Sequence, residues 1–151
     1  EFGSNYSDID IEYFSEEEPK GTAAALRQVE PELSSSFVVV NGHVVADVDL
    51  DEMFRVHNDQ DTLATMALTT VENPSRYGVA KLKGQKILGF EEKPESGEEP
   101  SRLINAGTYI LDADIFSRLE KDDLETVFEK LASQNELSGY IYGGEWSEVE
   151  N

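Results

Sequence analysis

The residues of this sequence best suited to chemistry are an adjacent carboxylate and ammonium group, in Glu92-Lys93-Pro94. They follow an alternating segment that predicts a hairpin strand, and Pro94 stiffens the backbone where the chain leaves that strand. Glu92 can accept hydrogen bonds from hydroxyl groups, and Lys93 places a positive charge beside it that can face an anion. The pair therefore places a hydrogen-bond acceptor and a positive charge side by side at the end of a strand.

A second candidate segment, Asn41-Gly42-His43, directly follows the apolar run at 37–40. Such a run is typical of a central strand buried on both faces. Ligands in open α/β sheets bind beyond the carboxyl ends of strands, so Asn41 and Gly42 are candidate binding residues. A single histidine such as His43 is more often structural, and contact with a phosphate or a metal is the alternative.

A third candidate is the helix start at Gly21-Thr22. The first turn of a helix offers free backbone N–H groups and the positive end of its dipole, and Gly21 permits close approach of a ligand to the backbone. An ordinary helix capped by Thr22 is the alternative interpretation.

The elements that must position these residues alternate between strands and helices, which predicts an α/β fold in a single domain. Period-two alternation, apolar runs and turn residues predict the strands, and helical spacing with capping residues predicts the helices. The predicted strands are 9–13, 37–40, 63–68, 78–82, 86–90, 104–111 and 137–142, and the predicted helices are 22–29, one starting at Asp49 or Asp51, 115–119 and 124–131.

Charge is the strongest compositional signal, with 32 acidic against 12 basic residues and a formal net charge of −20. Such a chain repels nucleic acid and anionic membranes, so neither is an expected partner. The acidic residues are spread along the chain, and only seven residues are lysine, which favours a salt-adapted cytosol. An ordinary acidic protein is the alternative. There is no cysteine, signal peptide or membrane-length apolar run, and a cytoplasmic location is expected.

Four groups of residues together resemble the sugar-phosphate nucleotidyltransferases, also called NDP-sugar pyrophosphorylases, and the similarity runs from about Ile9 to Val149. The groups are Glu18-Pro-Lys-Gly-Thr-Ala-Ala-Ala-Leu26, Phe37-Val-Val-Val-Asn-Gly42, Arg76-Tyr-Gly-Val79 with Glu91-Glu-Lys-Pro94, and Ile104-Asn-Ala-Gly-Thr-Tyr109. The resemblance implies transfer of a nucleotide from an NTP to a sugar 1-phosphate, with release of pyrophosphate. It also implies a Rossmann-like mixed, mostly parallel sheet flanked by helices.

The resemblance also implies roles for individual residues. Gly21 and Thr22 would lie against the nucleotide base, Glu92 would bind sugar hydroxyl groups, and Lys93 would meet the sugar phosphate. The remaining substrate-binding candidates are Asn41, Gly42, Tyr77, Gly78, Asn105 and Gly107, and the candidate catalytic residues are Lys93 and His43. Glycines at such positions admit a sugar ring, and an asparagine amide can hydrogen-bond its hydroxyls.

Both metal positions depart from the family pattern. Members of the family hold Mg²⁺ with two aspartates, and this sequence has His43 and Glu148 at the matching positions. Mg²⁺ prefers hard oxygen ligands, whereas imidazole suits softer metals. The resemblance therefore implies a magnesium cofactor that these two residues do not obviously support.

Family members open with a strand and a glycine-rich loop carrying an arginine and a lysine that hold the nucleotide phosphates, and no segment of this sequence has that glycine spacing. Residues 1–4 resemble a cloning scar. Because that glycine-rich loop is missing, we expect 5–151 to be a partial domain that is inactive alone. A non-catalytic sugar-phosphate-binding or regulatory module, and an acidic assembly domain, are the alternatives. An uncovered sheet edge predicts self-association or a partner that supplies the missing part.

Overall fold

The computed structural model of the chain describes residues 3–119 and 123–149. Its strands are β1 Asn5–Tyr6, β2 Ile9–Asp10, β3 Phe37–Val40, β4 Val44–Ala46, β5 Ala64–Thr70, β6 Gly78–Lys83, β7 Lys86–Glu92, β8 Leu103–Leu111, β9 Leu137–Ile141 and β10 Trp146–Glu148. Its α-helices are α1 Thr22–Val29, α2 Leu50–Gln60 and α3 Leu124–Ser133, and short 3-10 helices cover Glu30–Glu32, Pro74–Arg76 and Ala113–Ser117.

Six strands form a central sheet in the order β3-β8-β5-β9-β7-β6. The predicted α/β fold with a mixed sheet and flanking helices is confirmed. The expectation of a mostly parallel sheet holds for the direction of the strands, because β3, β5, β9 and β6 all run the same way. It does not hold for the pairing of neighbouring strands. Among the described strands, β5–β9 is the single parallel pairing, since β8 and β7 are inserted antiparallel between strands of the common direction.

Helices cover both faces of this sheet. On one face, α1 and α3 close a core that includes Tyr109 and Leu111 of β8, and on the other face α2 packs over Ile110 of the same strand. The five buried residues of α3 recur at helical spacing, which gives the helix one continuous apolar side, namely Leu124, Val127, Phe128, Leu131 and Ala132. Strands β5 and β8 are therefore buried on both faces.

Strand β3 forms where predicted but is not the central, fully buried strand that its apolar run indicates. It stands at the end of the six-strand order, its residues are only partly buried, and Val40 is 56% exposed. Phe37 stacks on Phe116 with 5.7 Å between ring centroids, and Val38 packs on the core of the opposite face, so both faces of the strand are partly covered. Apolar composition alone does not distinguish an edge strand from a central one.

The predicted strand at 9–13 is wrong in extent. The structure has only the two-residue strand β2 there, paired with β1 in a small hairpin, and Ile9 is 63% exposed. The alternation of apolar residues finds no core to pack against, so it produces no long strand. The predicted helix at 115–119 is instead the 3-10 helix Ala113–Ser117. No helix in the described ranges is long and apolar enough to cross a membrane.

Candidate functional site

An open cleft of about 180 Å³ lies between the start of β6, the end of β7 and the β4–β10 ribbon. Nine of the twelve residues singled out in the sequence line this cleft: Asn41, His43, Tyr77, Gly78, Glu92, Lys93, Asn105, Gly107 and Glu148. Val44, Arg76, Glu125 and Trp146 complete its lining. Residues from six separate parts of the chain are thus brought together.

The end of the β6–β7 hairpin holds Glu92 and Lys93 at the cleft wall. Gly78 pairs with Glu92 across the hairpin, and the backbone N–H of Lys93 donates to the Tyr77 carbonyl at 3.1 Å. A Cβ at Gly78 would lie 2.3 Å from Cζ of Phe90 and 2.7 Å from Oε2 of Glu92, so only glycine fits beside this carboxylate. The Lys93 ammonium lies 3.7 Å from Glu92 Oε1.

Asn105 is fixed in β8 by two hydrogen bonds. Its amide oxygen accepts from the backbone N–H of Gly107 at 2.9 Å, and its amide nitrogen donates to the buried Tyr109 hydroxyl at 2.8 Å. Gly107 adopts a left-handed φ of 73°, and a Cβ there would lie 2.9 Å from Val44. An asparagine amide has two N–H donors and two acceptor lone pairs, so Asn105 keeps capacity for a ligand.

The β4–β10 ribbon places His43 opposite Glu148. The Val149 N–H donates to the His43 carbonyl at 2.7 Å, and His43 Nε2 lies 4.0 Å from Glu148 Oε1. The His43 side chain is 58% exposed. No group of three or more potential ligands (His, Asp or Glu) among residues 3–119 and 123–149 is arranged to hold a metal ion. One imidazole and one carboxylate do not fit the octahedral oxygen site that Mg²⁺ requires.

Burial and neighbouring charge shift the pKa of two groups in or beside the cleft, Glu92 and Tyr109. Burial raises the pKa of the Glu92 carboxyl; Lys93 lowers that pKa, and Glu125 and Glu129 raise it further. Burial also raises the pKa of Tyr109 to about 12, so its hydroxyl stays protonated at physiological pH and neutral beside Asn105. The Glu125 carboxylate therefore acts on Glu92, and both residues line the cleft.

Three sequence candidates lie outside the cleft. Thr22 and Gly42 line a neighbouring apolar groove beside β3, and Gly21 precedes α1 with a φ of 94°. The backbone N–H of Thr22 donates to a carboxylate oxygen of Asp123 at 3.3 Å, and the Thr22 hydroxyl accepts from the Leu124 N–H at 2.9 Å. The expected free N–H at this helix start is therefore already taken by the beginning of α3.

The sequence interpretation did not select Arg76, Glu125 or Trp146 as site residues. Arg76 lies next to the selected Tyr77, and its guanidinium carbon is 5.9 Å from the Tyr77 ring centroid. The Tyr77 and Trp146 rings meet edge to face at 5.3 Å, and the indole N–H donates to the Ala106 carbonyl at 3.2 Å. Adjacency could have indicated Arg76, but only the packing of α3 brings Glu125 to the cleft.

Comparison with known proteins tests the family membership that the four groups of residues indicate. The family described as "Nucleotidyl transferase" matches residues 1–149 of the chain. The chain belongs to this family. The predicted family membership is confirmed.

Members of the nucleotidyl transferase family from distant organisms match nearly the whole chain. Bifunctional protein GlmU of Methanococcus maripaludis is 31% identical over 148 residues, and the mannose-1-phosphate guanylyltransferase catalytic subunit beta of Drosophila pseudoobscura pseudoobscura is 32% identical over 148 residues. The matches cover 92% and 93% of this chain but only 34% and 39% of those proteins. The chain thus spans little more than a third of the length of these relatives.

Solved structures share the fold of this nucleotidyl transferase chain. A Bacillus anthracis structure, solved with sucrose and assigned as a glucose-1-phosphate thymidylyltransferase, superposes with a TM-score of 0.81 at 24% identity, over 93% of this chain and 60% of that one. UDP-glucose pyrophosphorylase from Acinetobacter baumanii gives a TM-score of 0.76 at 20% identity, over 88% of this chain and 53% of that one. At these identities the similarity shows the fold alone.

Proposed function

We propose that the cleft binds a sugar 1-phosphate and that the chain forms the sugar-binding part of a sugar-phosphate nucleotidyltransferase. The observation that carries this proposal is the convergence of Glu92, Lys93 and Asn105 on one open cleft. The name of one relative supports it, since that protein is the catalytic subunit of a mannose-1-phosphate guanylyltransferase.

The cleft has complementary groups for both ends of such a ligand. Lys93 and Arg76 supply cations for the phosphate, and a carboxylate such as Glu92 accepts hydrogen bonds from two adjacent hydroxyl groups. The Asn105 amide can donate to one hydroxyl and accept from another. Gly78 allows the Glu92 carboxylate to lie against the strand at the wall of the cleft.

In the proposed reaction, an oxygen of the sugar phosphate attacks the α-phosphorus of an NTP and pyrophosphate leaves. Catalysis of this step consists mainly of positioning and charge neutralisation. Lys93 would orient the attacking phosphate and neutralise part of its charge, and His43 could donate a hydrogen bond to a phosphate oxygen. Base contacts by Gly21 and Thr22 and contacts by Asn41 and Gly42 belong to the same proposal.

We infer that this chain alone has little or no transferase activity. Its sequence contains no glycine-rich, cationic phosphate loop, and His43 with Glu148 does not provide a magnesium site. Loss of one such electrostatic contribution lowers a rate by about 10²–10³-fold. Pyrophosphate release, measured with a panel of NTPs and sugar 1-phosphates, is expected to stay at background. Turnover at ordinary enzyme rates, about 1–10³ s⁻¹, would contradict this inference.

A sugar-phosphate-binding module without catalysis is the second candidate function. The observation that favours it is the His43–Glu148 pair at the expected metal position. Titration calorimetry with glucose 1-phosphate and mannose 1-phosphate, with and without Mg²⁺, separates the candidates. Equal affinity in both conditions supports the module, whereas binding that requires Mg²⁺ supports a conventional transferase site.

Self-association through β3 would fit an assembly role. This strand has no neighbour on its outer side among the described strands, and an apolar groove runs beside it. Edge strands with free backbone groups readily pair with other chains. Light scattering is expected to show a dimer or larger species, or a complex once the partner is added. A monomer at every salt concentration would count against self-association.

We also infer from the net charge of −20 that the protein works in a salt-rich cytoplasm. Dense counterions screen repulsion between carboxylates, which otherwise destabilises the folded state. The midpoint of thermal unfolding is expected to rise by several degrees between about 0.05 and 1 M KCl, over which the screening length falls severalfold. An unchanged midpoint would contradict salt adaptation.

A further inference from the structure

We propose that Glu125 selects the sugar and that the preferred ligand is the 1-phosphate of an amino sugar with a free ammonium group. This inference rests on the proposed function, because it adds a specificity-determining residue to the same cleft. The sugar class follows from the distribution of charge around the cleft.

Glu125 lies in the first turn of α3, is half-buried, and lines the cleft together with Glu92. Within the described ranges, no hydrogen bond or ion pair holds its carboxylate. Glu136, which is also half-buried, has an ion pair with Arg118 at 3.0 Å, and the more exposed Glu92 lies beside Lys93. A half-buried carboxylate without a partner can gain a charge-assisted hydrogen bond from a cationic ligand.

Glu125 lies on the Glu92 side of the cleft, because both carboxylates also line the neighbouring hollow that includes Lys93. Its negative charge raises the pKa of Glu92 and of Tyr109, whose hydroxyl holds Asn105. A sugar ring that lies between Glu92 and Asn105 would therefore present one of its substituents towards Glu125. A cation at that ring position would face two carboxylates.

The charge balance of the cleft also favours a cationic sugar. Glu92, Glu125 and Glu148 face only two permanently charged cations, Arg76 and Lys93. The 1-phosphate of an uncharged sugar would add further negative charge to these residues, which raises the energy of the complex. An ammonium group on the ring offsets part of that charge at the end where the carboxylates are densest. The two cations remain available for the phosphate.

Titration calorimetry at neutral pH with EDTA tests the inference with four probes. These are glucose 1-phosphate and the 1-phosphates of 2-amino-, 3-amino- and 4-amino-deoxyglucose, since the carboxylates do not specify the ring position of the nitrogen. We expect at least one amino sugar phosphate to bind the unaltered chain about fivefold more tightly than glucose 1-phosphate, as for a partly exposed ion pair.

The variant Glu125→Gln keeps the side-chain shape and removes the charge. In this variant the preference should fall to within about twofold, while glucose 1-phosphate binds as tightly as before or slightly better. If Glu125 had only a structural role, the variant would bind all four probes more weakly and by the same factor. Glu129→Gln is the matched control, because Glu129 lies one turn further along α3 and outside the cleft. It should retain most of the preference.

The outcomes separate this inference from the proposed function. If sugar phosphates bind but none of the amino sugars is preferred, or if Glu125→Gln leaves the preference intact, the inference is overturned and the proposed function stands. If no sugar 1-phosphate binds the unaltered chain, both are overturned. A preference that is lost in Glu125→Gln and kept in Glu129→Gln supports both.

Discussion

His43 and His57, the two histidines of the chain, lie in opposite physical surroundings. His57 is 4% exposed, and its Nδ1 shares a 2.8 Å hydrogen bond with Thr65, which in turn lies 2.7 Å from the Ser138 hydroxyl. His43 is 58% exposed in the cleft, and its nearest charged group is Glu148 at 4.0 Å. His57 is buried and hydrogen-bonded within the protein, whereas His43 keeps hydrogen-bonding capacity for a ligand.

This difference indicates which region of the domain stabilises the fold and which region can bind a ligand. The chain of hydroxyls from Thr65 through Ser138 to Thr62 satisfies His57 within the sheet and α2, so that region serves stability. The cleft around His43 contains charges with few internal partners, so that region is suited to ligands. The two regions should respond to mutation in opposite ways.

The largest effect is expected for His57→Ala. The substitution leaves a cavity and removes a partner of the buried Thr65 hydroxyl, so the free energy of unfolding should fall by about 2–4 kcal/mol. Denaturant unfolding followed by circular dichroism measures this change. His43→Ala is the matched control and should change stability by less than about 0.5 kcal/mol, as for exposed sites. Similar losses of unfolding free energy in both variants would contradict the proposed difference between the two histidines.

Gly78→Ala should show that the cleft also depends on tight packing at its base. The added Cβ would overlap the Phe90 ring and the Glu92 carboxylate, so the free energy of unfolding should fall by about 1–3 kcal/mol. Affinity for a sugar phosphate should fall as well, because Glu92 must move. Gly89→Ala, whose Cβ would lie 3.9 Å from Cβ of Lys81, controls for the backbone change. Equal stability of the two variants would contradict the packing argument.

Lys93→Ala should sharpen the comparison by removing a ligand contact without harming the fold. Loss of one charge-assisted contact to phosphate should weaken binding of a sugar 1-phosphate about tenfold. Stability should change little, because Lys93 is exposed and its ion pair with Glu92 is a surface pair. Lys81→Ala, an exposed lysine of β6 outside the cleft lining, should bind as the unaltered chain does. Equal affinity in the two variants would remove Lys93 from the site.

The smallest effect is a pH dependence of stability that comes from His57. Desolvation by burial lowers its pKa in the folded chain, and Asp112 raises that pKa to a lesser extent. The unfolded chain therefore binds a proton more readily, so this contribution to stability is complete above about pH 6.5 and is lost as pH falls below it. Unfolding free energies between pH 7.5 and 5 should show this slope in the unaltered chain and in His43→Ala. The slope should be shallower in His57→Ala, and an unchanged slope there would contradict the assignment.

Much of the local structure could be predicted from the sequence because its signals are local. The first helix was predicted to within about one residue, although Gly21 rather than the expected Thr22 is its N-cap. Asp49 caps α2 by accepting from the Glu52 N–H at 2.9 Å. The hairpin that ends at Glu92 and Lys93 also follows from alternation around Lys83-Gly84-Gln85. By contrast, the run at 37–40 has the composition of a buried strand, and its position at the edge depends on partners that composition does not specify.

The amino-acid sequence by itself determined the α/β class, the hairpin, and nine of the residues that line the cleft. Only the tertiary structure decided that Glu125 joins them, that Asp123 takes the N–H of Thr22, and that β8 runs antiparallel between β3 and β5. The physical reason is range: turns, caps and periodicity act over a few residues, whereas strand order and the direction of α3 depend on packing between distant segments of the chain.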